Sequence, residues 1–383
     1  MNLKQMLVEM LSRKASDLHL RVGVRPHLRV NGELEQIATD PVTIDLMDQI
    51  VNQMLNEKQR ERFTRKNEMD MALSVAKLGR FRINLFRQRG TVGIAVRAVN
   101  TSVPAFEELF LPEVVKKMSD IMRGLVLITG TTGSGKSTTL ATLIEEINSK
   151  RTANIMTVED PIEYIYRDRK SIISQREVGG DTETFSTALR HAFRQDPDII
   201  LIGEIRDLET MSIALTAADT GHLVLSTLHT MNALETISRI VSFFPPHQHQ
   251  QIRLLLGGTL KAIVCQRLLS RHDKPGRVPA VEVLINSAAV RECIMDPDKW
   301  IDVNELMEQG TVQYGMQTFD QSIMKLYKQG MISFEEAMTN ASNPDDFDLR
   351  VKGITGSSDR WDDDIKKSDD AESSDLPGGY NKY

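Results

Sequence analysis

Apolar residues follow two different rhythms along this chain, and the change from one to the other divides it. Leu3, Met6, Leu7, Met10 and Leu11 recur at helical spacing and predict an opening amphipathic helix. Residues 15–34 alternate instead, with breaks at Gly23, Pro26 and Asn31-Gly32, which predicts two strands and a tight hairpin at Asn31-Gly32. Asp17 and His19 alternate with Leu18 and Leu20, so both fall on one strand face, where solvation accounts for them as well as function does. Ile44, Met47, Val51, Met54 and Leu55 form a second helical stripe, with the methionines as core filler. Residues 69–99 predict three antiparallel strands, the last two joined by a turn at Arg89-Gly90. On the middle strand Arg80 and Arg82 share one face while Phe81, Ile83 and Leu85 take the other, and Arg97 lies on the next strand. Such a row of arginines is either solvated or meets a phosphate supplied elsewhere.

From about Phe106 the pattern turns to alternating strands and helices, the mark of an α/β domain with a mainly parallel sheet. Candidate strands are Leu125–Thr129, Asn154–Val158, Asp198–Ile202 and His222–Ser226; candidate helices include Ser137–Asn148, Thr184–Arg194 and Leu208–Ala218. The expected organisation is an amino-terminal α+β domain over 1–99, a polar linker over 100–105 and an α/β domain over 106–355 whose last part is helical. Residues 356–383 are acidic, serine-rich and without periodicity, which predicts a disordered tail.

Composition narrows the classes. A net charge of −6 gives no general attraction to nucleic acid or to an anionic membrane. The 2 cysteines, Cys265 and Cys293, are too few for a disulfide framework or a four-cysteine zinc site. The first residues are interrupted by charge, unlike a secretory signal, and no apolar run is long enough to span a bilayer. A cytosolic protein is expected, one that meets a membrane only through partners.

Chemistry concentrates after the run Leu125–Ile128. Gly130, Gly135, Lys136 and Ser137 fit the phosphate-loop pattern, in the strand-to-helix context it requires. The glycines, with Gly133, let successive N–H groups of Gly130, Thr131, Thr132, Gly133, Ser134, Gly135 and Thr138 gather round one anion. Lys136 reaches the β- and γ-phosphates of ATP, and the Ser137 hydroxyl ligates Mg²⁺. Three clusters fall at the carboxyl ends of the later strands, where an open α/β sheet holds ligands. Glu159, Asp160 and Glu163 crowd together after one strand, which suits a cation or a polarised water. Gly203-Glu204 ends the next, and a carboxylate there can orient or deprotonate the attacking water. Arg206 follows it. His222 opens a fourth strand and His229 lies just past its end; a histidine so placed is either a structural hydrogen-bonder or a sensor of the γ-phosphate.

Together these clusters resemble the secretion ATPases of type II secretion and type IV pili, most closely their pilus retraction branch. The resemblance covers about residues 3–350 and rests also on "SDLHL" (16–20), "GRFRINLFRQRG" (79–90), "QREVG" (175–179), "RQDPDIILIGEIRDLET" (194–210), "TGH…TLHT" and "GMQTFDQS" (315–322). It implies a RecA-like P-loop ATPase domain with a smaller PAS-like amino-terminal domain, assembled as a homo-hexamer using ATP and Mg²⁺. It implies Glu204 as catalytic carboxylate, Glu163 as the member of the acidic cluster near metal or water, and His229 as γ-phosphate sensor. It implies that Arg82 and Arg97, with Arg80 and Arg89 behind them, approach the nucleotide. The implied partners are an inner-membrane pilus platform protein and a paralogous pilus ATPase, at the cytoplasmic face of the inner membrane. Two features depart from the retraction pattern: residues 289–296 read "AVRECIMD" where that branch resembles "AIRNLIRE", and the acidic tail is like that of accessory retraction ATPases. The expectation is a retraction motor, with an accessory, an assembly or secretion, and a low-turnover regulatory role as alternatives.

Overall fold

The computed structural model describes residues 1–100, 102–296, 298–299 and 303–354; the acidic segment 356–383 lies outside them. The chain divides into two units. One gathers Met1–Val103 with the short stretches Pro161–Tyr166 and Gly179–Glu183; the other begins at Pro104 and takes the rest. The two stretches inside the later half are a finding that a simple cut at 100–105 does not contain. The first joins its unit through the backbone: the Ile165 N–H donates to the Asn100 carbonyl (3.0 Å).

In the first unit, helix α1 (Leu3–Ser12) starts at Asn2, which forms a capping box with Gln5, and buries Leu3, Met6, Leu7 and Met10. Leu11 faces out. Strands β1 (Asp17–Arg21), β2 (His27–Val30) and β3 (Glu33–Gln36) follow. Asn31 and Gly32 both take positive φ (49° and 90°), as a two-residue hairpin between β2 and β3 requires. Helix α2 (Ile44–Met54) buries Met47, Ile50 and Met54. Helix α3 (Glu57–Lys66) carries only Phe63 into the core, and so many charges surround it that no apolar stripe announces it. Strands β4 (Glu68–Val75), β5 (Gly79–Gln88) and β6 (Thr91–Ala98) complete an antiparallel sheet in the order β3-β2-β1-β6-β5-β4. Leu18, Leu20, Leu28, Phe81, Ile83, Leu85, Ile94 and Val96 bury one face of it against the helices. Across the other face the register lines up Arg82, Arg97, Asp17 and Arg29 on four neighbouring strands.

The second unit opens with α4 (Glu113–Lys117) and β7 (Gly124–Thr129), whose six residues are all buried. Then come α5 (Lys136–Lys150), β8 (Asn154–Glu159), β9 (Ile172–Glu177), α6 (Phe185–Ala192), β10 (Ile199–Ile202), α7 (Leu208–Asp219), β11 (Leu223–Leu228), α8 (Ala233–Ser242) and α9 (His249–Thr259). A long hairpin, β12 (Leu260–Ser270) and β13 (Arg277–Ile285), precedes the closing helices α10 (Ala288–Met295), α11 (Val303–Gln309), α12 (Thr311–Tyr314), α13 (Phe319–Lys328), α14 (Phe334–Asn340) and α15 (Pro344–Val351). The sheet order is β13-β12-β7-β11-β10-β8-β9, parallel throughout except for β13. Strands covered on both sides read as near-continuous apolar runs, which is how β7, β10 and β11 were visible in the sequence. The hairpin β12–β13 was not, because its polar Gln266, Arg267 and Glu282 break the run. The "GMQTFDQS" stretch clamps β13: the Val281 N–H donates to Ser322 Oγ (3.0 Å), and the Val283 N–H to the Gln317 carbonyl (2.8 Å).

Candidate functional site

Parallel register decides which residues share an edge. Thr129 pairs with Leu228, and Ile202 with both Ser226 and Val158. The residues that follow these strand ends, Gly130, His229, Gly203-Glu204 and Glu159-Asp160, therefore gather along one carboxyl edge of the sheet.

Three residues of the loop after β7 need glycine. Gly130 has φ 138°, and a Cβ there would lie 2.4 Å from the Gln266 carbonyl and 2.6 Å from Ser134 Oγ. Gly133 and Gly135 have φ 80° and 95°, and Gly135 starts α5. The first turn of any helix leaves its amides without intrahelical partners and carries the positive end of the dipole. Thr131, Thr132 and Gly133 are exposed, while Ser134 is buried with its hydroxyl unpartnered among the described residues. Lys136, the first residue of α5, is buried, and its ammonium donates to the carbonyls of Gly130 (2.8 Å) and Thr131 (2.9 Å). Burial pushes its pKa below the ordinary lysine value, and the carboxylate of Glu204 partly offsets that. Ser137 is exposed beside it, with Thr138 half-buried. On the inner side of α5, Thr139 Oγ1 and the Gln266 amide hydrogen-bond in the buried interior (2.8 Å), tying the helix to β12.

Glu204 is buried, yet both oxygens are engaged: Arg206 holds Oε1 at 2.5 Å and His229 Nε2 meets Oε2 at 3.2 Å. Arg206 and His229 are themselves exposed. Gly203 lies where β10 and β8 close together; a Cβ would stand 3.2 Å from the Glu159 Cα, so a larger residue would press the neighbouring backbone back by a few tenths of an ångström. Glu159 is buried and accepts from Thr157 Oγ1 (2.7 Å) and from the Gln175 amide (3.2 Å).

The three carboxylates expected together have different partners. Glu159 belongs to the second unit with its own donors, Asp160 is exposed, and Glu163 belongs to the first unit, where Arg82 Nη1 donates to it (3.0 Å). Among the described residues no three His, Cys, Asp or Glu side chains converge on a metal position. His222 lies away from this edge. It precedes β11, at the opposite end of the strand from His229, where its Nδ1 lies 3.0 Å from the Ala217 carbonyl and Phe193 packs edge-on against its ring.

In the first unit, Arg97 Nε donates to Asp17 (2.8 Å). Burial raises the Asp17 pKa, but the hydrogen bonds from Arg97 and Ser16 outweigh it and hold the carboxyl below its usual range. Arg80 is half-buried on β5, and Arg89 is exposed in the β5–β6 turn. His19, on β1, is pushed below the ordinary histidine value by burial, and its Nε2 has no hydrogen-bond partner among the described residues. Sequence reasoning missed Thr157, Gln175, Thr139 and Gln266. Thr157 and Gln266 are polar residues in largely apolar strands and Thr139 lies on a helix's inner face, a signal that only a known fold can distinguish from an ordinary solvated position; Gln175 sits among polar neighbours and gives no such signal.

Residues 1–339 match the family model described as Type II/IV secretion system protein. The type IV pilus ATPase PilU of Pseudomonas aeruginosa is 42% identical over 92% of this chain and 92% of its own. The type IV pilus retraction ATPase PilT of the same organism is 42% identical over 91% of this chain and 100% of its own. A crystal structure of the pilus retraction motor PilT with bound ADP superposes with a TM-score of 0.84 at 41% identity, covering 90% of this chain and 98% of that one.

Proposed function

This chain belongs to the family of type II/IV secretion system proteins, and we propose that it is the motor that retracts type IV pili. It is an ATPase with a RecA-like P-loop domain. It works as a homo-hexamer at the cytoplasmic face of the inner membrane, docked on the platform protein of the pilus machine and beside a paralogous pilus ATPase.

Each residue's role follows from its chemistry. The loop amides and Lys136 hold the β- and γ-phosphates; Lys136 exchanges its two carbonyl acceptors for phosphate oxygens. Ser137 would hold Mg²⁺, whose exposed hydroxyl fits that task; the ion supplies charge neutralisation on the phosphates when bound. Glu204 orients the attacking water and takes its proton. His229, in contact with Glu204, reads the γ-phosphate and changes partner when it leaves. Arg82 and Arg97 bring positive charge to the γ-phosphate, with Arg80 and Arg89 adjoining. Their ion pairs with Glu163 and Asp17 do not forbid this, because the guanidinium or carboxylate in each is substantially exposed (Glu163 45%, Arg97 62%) and such a pair is worth only about 0–1 kcal/mol.

The observation that carries the reading is Glu204, buried at the end of β10 and in contact with His229, on the same sheet edge as Lys136. Steady-state phosphate release by the purified chain and its Lys136→Ala variant tests it. Turnover that disappears in the variant is the expected result; none in either would leave a regulatory nucleotide-binding subunit. An accessory motor is the second reading, favoured by an identity to PilU equal to that to PilT. Retraction force on single pili separates them: in a strain lacking the gene, retraction that persists with reduced force indicates the accessory role.

A further inference from the structure

One buried carboxylate takes no part in the chemistry above. Glu282, on β13, is 6% exposed and lies across from Cys265 of β12, which is fully buried. Its Oε1 accepts from the Ala233 N–H (2.7 Å). Ala233 is the first residue of α8, and only Thr230, Met231 and Asn232 separate it from His229. Helix α8 already has its side-chain cap, because Asn232 accepts from the Glu235 N–H (2.8 Å). The bond to Glu282 is therefore additional, and it reaches the first amide of the helix, four residues after the sensor histidine.

The rest of that short segment is anchored as well. Thr230 Oγ1 and Thr236 Oγ1 lie 2.6 Å apart in the interior, and the Met231 N–H donates to Glu235 (2.7 Å). The Thr230–Ala233 segment thus hangs on α8 and on one carboxylate from a different strand. That strand is in turn fixed by Ser322 and Gln317 of the "GMQTFDQS" stretch.

We propose that Glu282 is a positioning residue for ATP hydrolysis, fixing the segment that carries His229 so that its imidazole meets Glu204. The inference rests on the reading of Glu204 and His229 given above. Its physical basis is a rigid acceptor inside the sheet, which locks the amino end of α8 against sliding; small displacements of a catalytic group are costly in rate.

The charge state of Glu282 is part of the device. Burial pushes its pKa up to about 6, against the Ala233 N–H and the positive charge of Arg267, which pull it down. The other groups facing it are the Cys265 thiol on β12 and Asp320 on α13. Burial raises the Cys265 pKa well above that of a free thiol, so it stays a neutral donor to Glu282. Glu235 of α8 is turned to Met231. An ionised Glu282 is the stronger acceptor, so His229 is held most firmly above pH 6 and less so below it.

Three readouts test this in the full chain: kcat and KM for ATP from pH 5.5 to 8.5, affinity for a non-hydrolysable ATP analogue, and amide hydrogen exchange over residues 229–236. Glu282→Leu removes the acceptor; kcat is expected to fall roughly tenfold or more while KM and analogue affinity stay within about twofold, and exchange over 229–236 to speed up. Glu282→Gln keeps a neutral acceptor at every pH; it should recover part of the activity that Glu282→Leu loses, to about the level the wild type has once Glu282 is protonated, and lose the part of the acid limb near pH 6. Where Glu282→Leu fails to fold, the Gln variant alone decides, since a purely structural carboxylate would leave the pH profile unchanged. Wild-type kcat and pH profile in these variants, with unchanged exchange, overturns the proposal. A wild-type chain that hydrolyses no ATP would instead overturn the hydrolytic reading, and the exchange measurement would still report on Glu282.

Discussion

Glu204→Gln replaces one carboxylate oxygen by an amide and changes little else. The retained oxygen can stay against Arg206, now 2.5 Å from Oε1, and the new NH₂ can donate to the Nε2 of a His229 protonated on Nδ1, now 3.2 Å from Oε2. The lost charge pair is with an Arg206 that is 66% exposed, so it is worth about 0–1 kcal/mol, and the fold should be nearly unaffected. The loop and Lys136 are untouched, so ATP should bind as before. What disappears is the group that accepts the water's proton. General-base loss is worth on the order of 10²–10⁴ in rate, or ~3–5 kcal/mol on the barrier. The assay is phosphate release at saturating ATP, run beside analogue affinity and thermal stability. A slow, tightly nucleotide-bound protein is expected. A rate loss much smaller than tenfold would refute the assignment and move the role to Glu159 or Glu163; an affinity loss as large as the rate loss would make Glu204 a binding group.

Lys136→Ala should abolish tight ATP binding, measured by titration calorimetry, because it removes the phosphate loop's own cation; wild-type affinity would sink the phosphate-loop reading. Arg82→Ala and Arg97→Ala should fold and bind nucleotide but hydrolyse poorly, since an arginine meeting the γ-phosphate contributes roughly 10³–10⁵ in rate, and Arg→Lys should rescue only in part. Wild-type turnover in both alanine variants would return that sheet face to a solvated role. Glu282→Gln should also change stability with pH. The folded carboxyl titrates at about 6 against 4.5 in a free chain, so its contribution is complete below pH 4.5 and is lost as pH rises through 6. The whole loss is ~2 kcal/mol, more than half of it between pH 5 and 8, so the variant should gain about 1 kcal/mol on the wild type over that span in denaturant titrations. A constant difference between the two proteins would contradict it. A buried charge kept at such a cost is consistent with a functional use.

The site was legible where chemistry and secondary structure speak through one short stretch. Gly130–Ser137 follows a run of apolar residues and opens a helix, and Gly203-Glu204 closes a four-residue apolar strand, so each named its own place on the sheet. Strands paired at distance were harder. Nothing local reveals that β12 and β13 extend the sheet beyond β7, and hence that Gln266, Cys265 and Glu282 lie under the phosphate loop and the sensor segment. Glu163 shows a related limit. It stands only four residues after Glu159, yet the chain passes between units at Asp160–Pro161 and gives it Arg82 as partner, and nothing local announces that crossing or that partner. Helix α3 escaped because a helix that buries a single phenylalanine has no stripe to read.

The most direct test of the central claim is made on cells: delete the gene and count surface pili by electron microscopy while tracking twitching, with Lys136→Ala and wild-type copies returned in parallel. A retraction motor predicts excess pili without movement, corrected by the wild-type copy and not by Lys136→Ala. A deletion strain bare of pili would contradict the account and make this chain an assembly ATPase.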